Sequence, residues 1–302
     1  MRLPEYDGVY PALYYVTSAG DEIPISTPAI DKYWELYGRE GFSAPEIRTE
    51  QRQYADGSTR TLSAQLEPRD LSVKMVLNGK TTVERDRIYR DIAARLIRIG
   101  SFEDWGRLRV RRSDGKWVVI NCLYTGGMNV SDDLPRIRQF QLDFHADDAY
   151  FYDEQETVLR SSTLSRLIYL NRGLFLGNWT LTGGLTNLTI DNDGEKCYPV
   201  IEVDGPASVI RVRNRTTGET LALDPSFSLL AGQTLTIDCR EHRQAITLHS
   251  GDTESDMTHK LALGSSLDWA LAKGTNVISL YYTDSADSSA YRLRYQRRYY
   301  SA

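Results

Sequence analysis

NDGEKCYPVIEVDGPASVIRVRNRTTGETLALDPSFSLLAGQTLTIDC, residues 192–239, reads as four or five short strands cut by turns. Alternation puts Ile210 and Val212 on one face and Arg211 and Arg213 on the other. Leu221 and Leu223 follow, and then Leu235, Ile237 and Cys239 oppose Thr234, Thr236 and Asp238. A period of two means strands that each bury one face. Between the runs, Asp193-Gly194, Asp204-Gly205-Pro206, Thr217-Gly218 and Ala231-Gly232 supply the free or fixed φ that tight turns need. The pattern predicts an antiparallel sandwich.

Around this stretch, 302 residues allow two domains of about 150 each. The hydrophobic share of 41% and charged share of 25% are ordinary globular values. A net charge of -5 argues against broad nucleic-acid binding, which needs a basic surface to replace counterions. Cys122, Cys197 and Cys239 are odd in number, far apart and set in apolar strand patterns, so buried reduced thiols are expected rather than disulfides or a zinc site. The polar start Met1-Arg2-Leu3-Pro4-Glu5 and the lack of a long apolar run give the expectation of a soluble protein made in a cytoplasm, with no membrane contact.

Residues 26–60 hold Pro28, Gly38, Gly41, Pro45 and Asp56-Gly57 and read as a long mobile arm, with one or two helical turns over 30–37. A loop of that length is uncommon unless it serves a purpose, and a partner contact would be one. Leu71, Val73, Met75 and Leu77 alternate in a strand. Thr81 and Glu84 then form a capping box, Ile88, Ile92, Leu96 and Ile99 make an apolar stripe, and Gly100 stands at the expected end of a helix. Arg85, Arg87, Arg90, Arg95 and Arg98 cover its back, either solvated or facing another subunit. Leu108 and Val110 alternate with Arg107, Arg109 and Arg111 before a turn into Trp117, and this arginine face either blocks an open strand edge or meets an acidic neighbour. Phe140, Leu142 and Phe144 form another strand; Tyr291, Leu293 and Tyr295 form the last.

Catalytic, cofactor-binding and metal sites are not read from this sequence, and no enzyme activity is expected. Gly79-Lys80-Thr81 lacks the first glycine of a phosphate loop, since Lys74 stands there. Thr189, Asp191, Asp193 and Gly194 lack the terminal glutamate of a calcium loop, because Val200 fills that place. His145, His242, His249 and His259 show no ligand spacing, although His242 and His249 share a region with Glu241, Asp252 and Asp256. Trp179 and Trp269 could stack on sugars or fill the core. Asn178, Asn187 and Asn214 match glycosylation acceptors without a secretory signal to use them.

Asn192-Asp193-Gly194, Tyr198-Pro199-Val200-Ile201, Gly205, the run Asn214-Arg215-Thr216-Thr217-Gly218-Glu219, and Gly232 before Leu235-Thr236-Ile237-Asp238 resemble the C-terminal domain of the siphophage distal tail protein family. Phe144-His145-Ala146-Asp147-Asp148-Ala149-Tyr150 is similar to the end of that family's N-terminal domain, with Ala149 where a proline is usual, and Gly274-Thr275-Asn276 is similar to its closing segment. The resemblance implies a mainly β protein. A β-rich ring-forming domain with one helix would span residues 1–155 and a galectin-like antiparallel sandwich residues 156–302. It implies a structural virion protein of the phage tail tip, a homo-oligomeric ring of six that joins the tail tube to the baseplate or tail-fibre hub. Its partners would be the tail tube protein, the tape-measure protein and a tail-fibre or hub protein. The galectin sugar-binding set is not recognisable in residues 210–215. The alternative is a carbohydrate-binding sandwich that attaches to a cell-surface glycan.

Overall fold

The computed structural model describes residues 12–26, 33–54, 56–97, 105–162, 183–283 and 289–302. The chain is mainly β, its sheets antiparallel, with one α-helix among the described residues. It divides into two compact units: Gln155–Arg298 forms one, and the chain before Gln155 together with Tyr299–Ala302 forms the other. The expected second domain, 156–302, therefore loses its last four residues to the first unit.

In the first unit the elements are β1 (Leu13–Val16), β2 (Glu22–Ser26), β3 (Tyr33–Glu40), β4 (Ile47–Gln53), β5 (Thr59–Leu66), β6 (Arg69–Asn78), α1 (Thr82–Leu96), β7 (Gly106–Arg111), β8 (Trp117–Asp133), β9 (Ile137–Ala146) and β10 (Phe151–Asp153). The main sheet runs β2-β1-β7-β8-β9-β6-β3, with β10 also pairing β8. The long strand β8 serves both halves, pairing β7 over Trp117–Cys122 and β9 from Leu123 onward. It turns between them at bulges around Gly126 and Gly127. Gly127 has φ 95°, and a Cβ there would lie 2.3 Å from the Gln141 carbonyl oxygen, so both backbone and space demand glycine. The inward residues Leu13, Leu71, Val73, Leu108, Ile120 and Phe140 share one core with Ile88, Ile92 and Leu96 of the helix.

Helix α1 starts where the capping residues place it. The Thr81 hydroxyl accepts from Glu84 N at 3.1 Å, and the Glu84 carboxylate accepts from Lys80 N at 3.0 Å. The expected helix end at Ile99 and Gly100 lies outside the described residues. Thr81→Ala should lower stability by about 1 kcal/mol, the usual value of an N-cap; thermal unfolding followed by circular dichroism checks it, and an unchanged midpoint would mean that the cap contributes nothing. Arg85 departs from the expected solvated back. It is buried, ion-paired to Asp86 at 2.8 Å and Asp133 at 2.6 Å, and it donates to the Leu134 carbonyl.

Further expectations change. Residues 33–40 form a strand rather than helical turns, and 47–66 form a hairpin rather than a loop. Strand β7 lies inside the sheet, between β1 and β8, so its arginines guard no edge. Strands β6 and β8 are interior as well and cannot extend the sheet into another chain; β2 and β3 are its end strands.

The second unit contains β11 (Thr157–Ser162), β12 (Gly183–Asn192), β13 (Val200–Asp204), β14 (Ala207–Asn214), β15 (Thr220–Ala222), β16 (Ser228–Leu229), β17 (Gln233–Asp238), β18 (Ala245–Ser250), β19 (Thr253–Asp256), β20 (Gly274–Thr283) and β21 (Ala290–Tyr295). One sheet runs β11-β21-β13-β17-β18-β19 and the other β12-β20-β14-β15, with β16 also on β14. Ile201, Val203, Leu235 and Leu293 of the first sheet and Ile210, Val212, Ile278 and Leu280 of the second fill a single core, which makes the unit a sandwich. Ile210, Val212, Leu235 and Leu293 are among the residues that alternation assigned to one face. On the outer face of the first sheet Arg292 bridges Glu202 at 2.7 Å and Asp204 at 2.9 Å, while Arg294 meets Glu202 at 2.7 Å.

Candidate interaction surfaces

Several of the sequence's candidate chemical groups are taken up by local structure. Thr81 of Gly79-Lys80-Thr81 is the N-cap of α1. Gly79 is required by the approach of Arg85, whose Cβ would stand 2.7 Å from an added Cβ. His249 pairs with Glu254 at 3.3 Å, Glu241 with Arg298 at 2.8 Å, and Asp256 accepts from the Thr258 amide and hydroxyl at 2.9 and 2.6 Å. Among the described residues no three histidine, cysteine or carboxylate side chains converge as a metal site would require. No helix among them is long and apolar enough to cross a membrane. Cys122, Cys197 and Cys239 are buried free thiols, and burial pushes Cys122 and Cys239 up to about 12, far from a reactive thiolate. Trp269 is buried in the sandwich core, whereas Trp179 and Asn178 lie outside the described residues.

The motif asparagines close the sandwich. Asn192, Asn214 and Asn276 are each at most 1% exposed. Asn214 Nδ2 donates to Ala270 O at 3.1 Å and to Asn276 Oδ1 at 3.0 Å, and its Oδ1 accepts from Thr216 N at 3.0 Å. Asn276 Nδ2 donates to Ala272 O at 2.7 Å and Gly274 O at 3.0 Å. Asn192 Nδ2 donates to Glu195 O at 2.8 Å, and its Oδ1 accepts from Gly194 N at 3.2 Å. The calcium-loop candidate is thus an Asx turn, with Asp191 on the Thr275 hydroxyl at 2.7 Å and Asp193 on Arg297 at 3.0 Å. With Asn214 inside, that glycosylation match is inaccessible.

His145 sits between two carboxylates, with Nδ1 2.7 Å from Asp70 and Nε2 3.3 Å from Asp147. The register Asp70↔His145 between β6 and β9 fixes the first contact. The hydrogen bond to Asp70 raises the imidazole above its ordinary value; burial opposes it, and the charges of Asp70 and Asp147 add smaller upward pulls. A raised folded value contributes stability that is full below the unfolded value and is lost as pH rises through the folded one. For so exposed a pair the effect should stay below about 1 kcal/mol. Proton NMR should find His145 titrating above the ordinary range and Asp70→Asn lowering it; identical titration in both proteins would refute the pairing.

The arginine face of β7 is satisfied within its own unit in part. Arg109 meets Glu154 at 2.7 Å and Glu22 at 3.2 Å and lies 4.2 Å from the Trp117 ring centroid. The hairpin β4–β5 is different. Among the described residues it pairs with no other strand, all seven residues of β4 are exposed, and Ile47, Leu62 and Tyr54 are exposed by 63%, 57% and 41%. Its tip is built firmly: Tyr54 N donates to Ser58 O at 2.8 Å, Gly57 has φ 83°, and the Asp56 carboxylate accepts from the Ser58 amide and hydroxyl at 2.9 and 2.6 Å. Those bonds, the hydroxyl first, hold Asp56 below the usual carboxylate value. A lone two-stranded hairpin is marginally stable in water, so a surface that covers it would stabilise it.

No protein-family model matches the chain, and no curated protein sequence matches it. Among solved structures, the chain is similar to the crystal structure of SPP1 Dit (gp 19.1), described as a paradigm of the hub adsorption apparatus in phages that infect Gram-positive bacteria. The TM-score is 0.60 at 15% identity, over 96% of this chain and 100% of that one. It also aligns with a chain of the phage P2 baseplate in its activated conformation with calcium, with a TM-score of 0.49 at 10% identity over 97% of this chain and 100% of that one. This chain therefore has the fold of the SPP1 Dit protein along nearly its whole length.

Proposed function

We propose that this protein is a distal tail protein, a non-enzymatic structural component of a phage tail tip. In this reading it forms a ring between the tail tube and the baseplate or tail-fibre hub. The observation that carries the reading is the agreement in fold over 96% of the chain with a phage hub protein, at a TM-score of 0.60. The sequence motifs support it independently, since the asparagine and glycine positions that resemble the family are those that close the sandwich. A tube-to-tip adaptor must match a rotationally symmetric tube, and head-to-tail interfaces that close on themselves do so. Six copies follow from the family resemblance, as do the tape-measure and tail-tube partners and the galectin-like description of the second unit. The first unit carries the ring contacts, and the exposed hairpin β4–β5 is the element offered to a neighbour.

Native mass spectrometry and light scattering test this on the full chain. A closed oligomer is expected at micromolar concentration, and Ile47→Asp with Leu62→Asp should reduce it to a folded monomer whose unfolding midpoint no longer depends on protein concentration. A wild-type chain that stays monomeric both alone and with tube protein added, or a double variant that still assembles, would refute the ring contact assigned to the hairpin.

A further inference from the structure

We infer that the outer face of the sheet β12-β20-β14-β15 is a binding surface for a phosphodiester-linked polyol or sugar polymer of the kind that gives a cell surface its negative charge. The inference does not depend on the ring. Its centre is β14, an interior strand whose inward residues Ile210 and Val212 are core and whose outward residues Arg211 and Arg213 are exposed, with Arg215 continuing the column beyond the strand. The bond from Arg215 N to Val277 O at 2.8 Å carries the ladder one residue further, which keeps Arg215 in the same alternation. None of the three makes an ion pair or side-chain hydrogen bond with a described residue, whereas Arg292, Arg294, Arg240, Arg297 and Arg298 of the same unit are all paired to carboxylates. In a chain of net charge -5, Arg211, Arg213 and Arg215 make a local row of positive charge.

The spacing and the neighbours specify the ligand. Residues two apart on a strand stand about 6.6 Å apart, so the column offers charge at regular steps along a line. Arginine matches phosphate oxygens with two parallel N–H donors. Beside the column lies Tyr281, paired in register with Arg211 and 39% exposed on the outer face. An exposed tyrosine offers its ring to a sugar or polyol face. The next row holds Ser279 opposite Arg213, its hydroxyl donating to Asn187 Oδ1 at 2.8 Å. Among the described residues beside the face, Asp191 accepts from the Thr275 hydroxyl at 2.7 Å and Glu219 from the Thr217 hydroxyl at 3.2 Å. An acidic peptide would use the charges but has no use for the flat hydroxyl and amide surface around Tyr281, which favours a hydroxylated polymer.

Binding of the full chain to poly(glycerol phosphate), measured by calorimetry at low and at moderate salt, tests the assignment. Poly-glutamate, neutral dextran and inorganic phosphate serve as comparison probes. Expected are measurable binding to poly(glycerol phosphate) that weakens with salt, little to dextran, and a loss of about tenfold or more in Arg211→Glu with Arg213→Glu. Tyr281→Ala should weaken binding severalfold while leaving the salt dependence intact. Arg87→Glu with Arg90→Glu on α1 makes the same charge change elsewhere and should leave binding alone. The proposal is overturned by no wild-type binding at low salt, by equal binding of poly-glutamate, by saturation with inorganic phosphate alone, or by equal losses in the α1 variant. Unchanged unfolding midpoints in the exposed-face variants are expected; a variant that fails to fold is replaced by Arg213→Ser, for which unaltered affinity would count against the site.

Discussion

Arg69→Ala is expected to cost the first unit about 3–5 kcal/mol, the range found when one side of a buried charged contact is removed. Arg69 is 4% exposed. Its Nη1 donates to Gly41 O at 2.9 Å and Ser43 O at 2.7 Å, its Nη2 to Ala149 O at 2.6 Å and Tyr300 O at 2.9 Å, and the guanidinium lies 5.0 Å from the Phe151 centroid. Burial lowers its pKa from the ordinary value, against the pull of Asp148, but an arginine stays charged. Four carbonyls from three distant parts of the chain are therefore tied by one side chain, among them the returning terminus with Tyr299 in the core. Alanine leaves all four to find other donors, and the first unit's melting transition should fall by roughly 10 °C. Lysine keeps the charge but not the fork, so Arg69→Lys should recover only part of the loss. Truncation after Arg298 removes one of the four carbonyls, so its effect and that of Arg69→Ala should combine to less than their sum. Calorimetry that shows Arg69→Ala within 1 kcal/mol of wild type would mean that water replaces the guanidinium at little cost.

The strands with one buried face were legible because burial imposes a period of two: Ile210/Val212, Leu235/Ile237 and Tyr291/Leu293/Tyr295 all point inward as read. The helix was legible from its cap and stripe. The hairpin β4–β5 was not, since IRTEQRQ has no buried face and so no apolar alternation. Its Gly, Pro and Asp neighbours then look like loop. Strand order is likewise invisible in alternation, so β7 could be taken for an edge although β1 covers it. Arg69 and Arg85 look like surface charges in sequence, because the carbonyls and carboxylates that hold them come from residues as far away as Tyr300 and Asp133. The candidate surfaces divide in the same way. Alternation already separated Arg211 and Arg213 from the core, but only the structure shows that they pair with no carboxylate among the described residues.

Asn214→Asp is expected to be nearly as damaging as Arg69→Ala and to depend on pH in a way that alanine cannot. The amide is wholly buried and its two donors face oxygens, Ala270 O and Asn276 Oδ1, while its oxygen receives Thr216 N. A carboxylate of the same shape keeps the acceptor but turns the donor side into opposed oxygens in a fully buried site. Burial without a cation raises the pKa of the new carboxyl in the folded state above the unfolded value near 3.9. A raised folded value means that the variant is most stable below the unfolded pKa, where both states are protonated, and loses stability as pH rises through the folded one. At neutral pH the deficit should reach about 3–5 kcal/mol, whereas at pH 4 part of it should return. Asn214→Ala, which removes the same bonds without adding charge, should cost about 2–4 kcal/mol at both pH values. Urea unfolding of both variants at pH 4 and 7, read against wild type to remove the background, decides the matter. A pH-independent deficit for Asn214→Asp would show that the site admits water, and the asparagine network would then be a surface turn rather than the closure of the sandwich.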